Sequence, residues 1–366
     1  MAMRSRRPAA ATSGAKRRAK LRRGIDKTVL VRKSVARLSV DERSRYVAAL
    51  LELKRRGKYD EFVHWHHHVM MQPTVLPGEP DDAGYRNIAH RGPAFLPWHR
   101  EFLRRLEREL RKIDATVTIP YWDWTQDAKL ADPGTASIWG DDFMGGNGVG
   151  ADHIVDTGPF AYKNGNWRLT MDGPELKRSF GASALEGLPS AEDVAVVLEE
   201  QFYDTPPWNS STFTIGFRNK LEGWVQPEGE HRFSKPGRQL HNRVHRWIGG
   251  TMLSMPSPND PIFFLHHCFV DKIWAMWQSR NAPTPLADTY LPRANGPVGH
   301  NIDDPMIPWD KESPPATPRS VLDHTLLGYV YDDEKVDGRT ATELLRTLRL
   351  TSLIALGSKK LIRPNH

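Results

Sequence analysis

Cysteine is almost absent from the 366 residues: Cys268 stands alone, so no disulfide can form within the chain and no thiolate cluster can hold a metal. Long apolar runs are missing too. The most hydrophobic stretch, Pro261 to Trp277, is interrupted by two histidines, an aspartate and a lysine, so it falls short of the roughly 18 uninterrupted apolar residues of a membrane-spanning helix. Acid is scarce in one place. Residues 1–23 hold nine Lys and Arg with no Asp or Glu, so the net charge of +7 leaves −2 for everything after them. That pattern argues against a nucleic-acid binder and for a solvated basic arm over 1–24. No apolar segment follows Arg6-Arg7, so a twin-arginine signal is not supported. The expectation is a cytoplasmic protein without its own signal peptide, or one exported only with a partner.

What is present reads as mostly helix. Ser39 with Glu42 forms a capping box, Tyr46, Val47, Leu50, Leu51 and Leu53 supply an apolar stripe, and Gly57 stops it, which predicts a helix over 40–56. A second helix is expected from Tyr59 to Met71. The Pro- and Gly-rich segment 72–84 then reads as a surface loop, and a third helix follows from Trp98 to Asp114 with Phe102, Leu106, Leu110 and Ile113 on its core face. Residues 115–190 predict long loops with brief strands. Further helices are expected after Ser190, over Arg238–Trp247, and after Asp260 with Pro261 at its first position. The C-terminal segment from Glu334 has Leu344, Leu345, Leu348 and Leu353 at helical spacing.

Fifteen histidines are present, and their spacing carries the chemistry. His241 and His245 lie four apart, on one helix face and within reach of one ion. Asn242 stands where a zinc-protease helix has its catalytic Glu, which weakens a hydrolase reading. His266 and His267 are adjacent, so only one can face that interior; His267 is preferred, with Asp271 one turn later placed to accept its free ring N–H. Upstream, His64, His66, His67 and His68 sit on one helix, and His90 and His99 flank Arg91–Trp98, together suggesting a second three-histidine set. Neutral imidazoles without carboxylate or thiolate suit copper, or less well zinc. Two half-sites, each from a helix pair, give a four-helix bundle with the metals inside.

The segments that carry these histidines resemble the tyrosinase family. His90-Arg-Gly-Pro-Ala-Phe-Leu-Pro-Trp-His99 resembles its first copper signature and Asp260-Pro-Ile-Phe-Phe-Leu-His-His267-Cys-Phe-Val-Asp271 its second. Tyr59-Asp-Glu-Phe-Val63, Gly216-Phe-Arg-Asn-Lys-Leu-Glu-Gly-Trp224 and Leu240-His-Asn-Arg-Val-His245 extend the likeness over about residues 40–331. The resemblance implies a mainly α, tyrosinase-type bundle over 25–333; the leucine spacing makes 334–366 an extension expected to be helical, which a truncation would test as a plug over the site. It implies two coppers: copper A on His66, His90 and His99, with a one-residue slip to His67 or His68 open, and copper B on His241, His245 and His267. It implies dioxygen as co-substrate, ortho-hydroxylation of monophenols and oxidation of o-diphenols, and Glu222 with Asn242 holding the water that accepts the phenol proton. Arg246 is a candidate for guiding acidic substrates. His64, His67, His68, His266 and His324 are read as packing or supporting residues, and Cys268 as uncrosslinked. A small copper-loading partner and o-aminophenol substrates are further implications. A hemocyanin-like oxygen carrier and a dinuclear zinc hydrolase stand as rival readings.

Overall fold

Ser39 accepts the Glu42 N–H at 3.2 Å and donates its own N–H to Glu42 Oε2 at 2.9 Å, so the capping box read from the sequence forms and starts helix α1, Val40–Arg55. The computed structural model describes residues 29–76, 86–182, 187–210, 215–224, 240–281, 284–336 and 339–340. The basic arm over 1–24, the remainder of the 72–84 loop beyond 76, and the leucine-bearing segment after 340 lie outside these residues. By its internal contacts the chain divides into a unit spanning Lys33–Asp323 and a second made of the terminal segments.

Within the larger unit, Gly57 at φ +71° turns the chain sharply from α1 into α2, Lys58–Met70. Tyr59, Phe62, Val63, His66 and Val69 form the buried stripe of α2. Helix α3, Phe95–Ile113, starts three residues before the expected Trp98. Pro97 does not prevent this, because the N–H groups of a first turn have no intrahelical acceptor to lose. Between 115 and 190 the chain is irregular as expected, with strands β1 (Gly148–Val149) and β2 (Ile154–Val155) paired antiparallel. A second capping box, Ser190 with Asp193, opens α4, Ala191–Leu198. Two further short helices follow, α5 over Phe217–Glu222 and α6 over Leu240–Ile248. The last long helix, α7, is Ile262–Arg280; Asp260 heads it, its carboxylate taking the Ile262 N–H at 3.2 Å.

Helix α7 is buried along nearly its whole length, including His266, His267, Asp271 and Lys272. It packs against the inward half of α3, where Phe102 stacks on Phe264 with centroids 5.4 Å apart. Helices α2 and α6 complete a bundle of four around the histidines. The fold is therefore mainly α, with long loops and few short strands. In the terminal unit, Leu30–Arg32 pairs in parallel with Tyr329–Tyr331, and His324 Nε2 lies 3.0 Å from Glu334 Oε2.

Candidate metal centre

The apolar stripe of α2 decides which of its four histidines faces inward. His66 falls in register with Tyr59, Phe62 and Val69 and is 1% exposed, whereas His64 and His68 face solvent and His67 is half-buried. Of the four, His66 is the one that the helix period turns inward. His90 enters from the turn before α3, where Asn87 Oδ1 accepts the His90 and Ala89 N–H groups at 2.8 and 3.1 Å. His99 lies one helical turn beyond Phe95. The three rings stand 4.8 to 5.8 Å apart by centroid.

Backbone carbonyls orient these imidazoles. His66 Nδ1 bonds Met255 O at 2.7 Å and His99 Nδ1 bonds Phe95 O at 2.8 Å. Each is therefore a donor at Nδ1 and carries a lone pair on Nε2, and in both residues Nε2 is buried without a hydrogen-bond partner. A buried, unpaired nitrogen is costly unless something else occupies its lone pair. His90 presents one as well, at Nδ1.

The second set is tighter. His241 and His245 rise from α6, and their Nε2 atoms lie 3.2 and 3.5 Å from Nε2 of His267 on α7. Three imidazoles around one ion at about 2.0–2.1 Å would place their nitrogens about 3.3 Å apart for tetrahedral angles. His245 Nδ1 bonds Met252 O at 2.7 Å, and His241 Nδ1 is flanked by Glu222 O at 3.2 Å and Asn242 Oδ1 at 3.0 Å. The two half-sites meet where His99 stacks on His267, with centroids 4.3 Å apart and planes 14° off parallel. Phe263 also stacks on His267, at 4.0 Å.

Burial pushes all of these imidazoles below their usual pKa, His66 to about 3 and His245 to about 4. Neutral rings with lone pairs aimed inward are what a metal ligand requires. Both three-histidine sets have their ligand atoms within 4.8 Å of one another. The all-imidazole donor set and the unpaired ring nitrogens fit a pair of copper ions.

Glu222 is fully buried at the end of α5. Its Oε1 accepts the Arg91 N–H at 2.7 Å and its Oε2 the Arg218 guanidinium at 3.1 Å. Burial raises its carboxyl pKa, while Arg218 pulls the other way. Arg246 is half-buried on α6. One expectation fails. Asp271 does not accept the ring N–H of His267, whose Nδ1 is without a hydrogen bond; Asp271 Oδ1 instead takes Arg100 Nε at 2.5 Å. Arg100 is fully buried on α3, and a buried guanidinium claims the nearest carboxylate before a neutral imidazole can. His266, expected to be a packing or supporting residue, belongs to the same cluster as His241, His245 and His267 and stacks on His241 at 5.1 Å, with both ring nitrogens unpaired. Cys268 Sγ is directed at Ile119 O, 3.5 Å away. The carbonyls of Met252 and Met255 escaped the sequence reading because a backbone acceptor carries no residue signature.

Residues 56–280 match the profile of the common central domain of tyrosinase. The chain is 45% identical over 307 residues to a tyrosinase of Streptomyces glaucescens, covering 83% of this chain and 99% of that one. It is 38% identical over 327 residues to the grixazone synthase of Streptomyces griseus, with coverage of 83% and 99%. Among solved structures, a polyphenol oxidase from Thermothelomyces thermophila shares the fold at a TM-score of 0.59 and 21% identity, covering 88% and 95% of the two chains. Deoxygenated hemocyanin from Rapana thomasiana is similar at a TM-score of 0.52 and 22% identity, covering 89% and 74%.

Proposed function

The chain belongs to the tyrosinase family and is a type-3 copper oxidase using dioxygen, and from that premise we propose that it ortho-hydroxylates a small monophenol and oxidises the o-diphenol to the o-quinone. Copper A falls to His66, His90 and His99, and copper B to His241, His245 and His267. The observation that carries this assignment is the approach of three Nε2 atoms to 3.2 and 3.5 Å in one half-site, beside a second trio with unpaired buried nitrogens. Bound there, the copper pair supplies two-electron chemistry with dioxygen.

The protein's own part is to hold and exclude. Met255, Phe95 and Met252 carbonyls fix the orientation of one imidazole each, keeping the lone pairs inward. Phe95 and Phe263 line the imidazoles with apolar surface. A phenol must lose its proton before it is attacked. The main-chain oxygen of Glu222 and Asn242 Oδ1 both flank His241 Nδ1, which sets these two residues beside the site, and the buried Glu222 carboxyl, its pKa raised by burial, is assigned with Asn242 to holding the water that accepts the proton. Arg246, next to His245, is assigned to attracting acidic substrates.

A second reading, oxidation of o-aminophenols, is favoured by the relative named as a synthase. Initial rates on tyrosine, catechol and o-aminophenol with copper-reconstituted protein decide between them, and oxygen binding without turnover of any would favour a carrier. Loading by a small partner protein, cytoplasmic residence or export with a partner, and a division into a 25–333 catalytic domain and a 334–366 extension complete the reading. No described helix is long and apolar enough to cross a membrane. Truncation after Asp333 is expected to raise activity if the extension covers the site; unchanged kinetics would remove that part.

A further inference from the structure

Helix α3 carries His99 and is preceded by His90, yet residues 92–98 offer no Ser, Thr, Asp or Asn to cap its start. Gly92 O accepts the Phe95 N–H at 3.0 Å, which leaves the Ala94 N–H in need of an acceptor. That acceptor comes from 206 positions away: His300 Nδ1, at 3.0 Å. His300 is fully buried, and its Nε2 lies 3.0 Å from Thr74 Oγ1. Because Nδ1 accepts a backbone N–H, the ring proton sits on Nε2 and is donated to Thr74. The imidazole is held neutral by burial and by the cationic Arg86 and Arg218. Its main-chain oxygen receives the Tyr290 hydroxyl at 2.8 Å, and its Cε1 packs so near Gly92 that a Cβ there would come to 2.7 Å.

Thr74 lies four residues beyond the end of α2, and Ala94 immediately precedes α3. One imidazole therefore ties the exit of the helix bearing His66 to the start of the helix bearing His99, with His90 between them. We propose that His300 is a positioning residue for the copper A half-site, capping α3 from a distant segment and setting how the His90–His99 turn meets α2. This rests on the copper assignment above.

The test uses full-length holoprotein and its His300→Leu, His300→Asn, His300→Gln and Thr74→Val variants, with copper per chain measured after equilibration against graded chelator. Asn can still present an oxygen to the Ala94 N–H, whereas Gln reaches toward Thr74 and leaves that N–H unpaired. In His300→Leu and His300→Gln, copper A affinity is expected to fall about 10–100-fold with copper B retained. A single Cu(II) per chain then gives an electron paramagnetic resonance signal that the coupled pair in the unaltered protein does not. His300→Asn should recover most of the affinity, and Thr74→Val should lose about 3–10-fold. Should His300→Leu fail to fold, the Asn, Gln and Thr74→Val variants carry the test. Equal loss from both half-sites, unaltered copper binding in all variants, or His300→Asn no better than His300→Gln would overturn the role of His300. An unaltered protein that binds no copper pair would instead overturn the copper assignment itself.

Discussion

Arg178→Met should destabilise the bundle by removing a buried guanidinium that makes two kinds of contact at once. Its Nε and Nη2 pair with both oxygens of Asp260 at 2.7 and 2.8 Å, and its Nη1 bonds the carbonyls of Met144, Gly145 and Gly146 at 2.9, 2.8 and 3.2 Å. Both side chains are fully buried. Removing one partner leaves Asp260 as an unpaired charge away from water, at a cost of about 3–5 kcal/mol. With an unfolding entropy of about 2.1 cal/mol/K per residue, the Lys33–Asp323 unit gives about 0.6 kcal/mol/K, so Tm should fall by about 5–8 °C. Arg178→Lys keeps the charge but not the planar fork and should lose about half as much. Arg178→Met with Asp260→Leu should recover part of the loss, because the stranded charge is gone although three carbonyls stay unsatisfied. Differential scanning calorimetry on the apoprotein reads all three. A fall below about 2 °C for Arg178→Met, or a double variant worse than the single, would refute the reasoning.

Three further outcomes follow from the site. Glu222→Gln should lower monophenol hydroxylation about 100-fold while catechol oxidation changes little, because the amide oxygen can still take the Arg91 N–H; equal losses on both substrates would contradict the proposed proton acceptor. His266→Phe should retain two coppers, since His267 holds the 3.2 and 3.5 Å approaches to His241 and His245; loss of copper B would reassign the ligand. Eight imidazoles, those of His66, His90, His99, His241, His245, His266, His267 and His300, have folded-state pKa values below 6.5. The unfolded chain then binds more protons below pH 6.5, so their contribution to stability is present above that pH and lost as it falls. Each costs up to about 1.4 kcal/mol per pH unit through that window until its own folded value is reached, about 4 for His245 and about 3 for His66. Urea midpoints of the apoprotein that are flat between about pH 6.5 and 4.5 would contradict those shifts.

Local chemistry explains what the sequence disclosed. Ser39 with Glu42 acts over three residues, so that capping box was readable and it forms; Ser190 was readable as a cap, and the structure adds Asp193 as its reciprocal partner. The i, i+4 spacing of His241 and His245 likewise needed only helix geometry. His66 was readable in principle from the Tyr59, Phe62 and Val69 stripe, although the sequence reading chose it by resemblance. Long-range partners were not readable. Nothing near Asp271 announces that Arg100, 171 positions earlier, will take its carboxylate, and nothing near Ala94 points to His300. The early start of α3 was missed: the sequence reading began the helix at Trp98, just past Pro97, whereas a first-turn proline breaks no hydrogen bond.

Copper content of purified holoprotein, with and without single ligand replacements, tests the central claim most directly. Six inward imidazoles predict two coppers per chain, spin-coupled and silent in electron paramagnetic resonance, and a lone Cu(II) signal with one copper remaining in either His99→Ala or His245→Ala. Fewer than two coppers in the unaltered protein, or two retained after either replacement, would contradict the account.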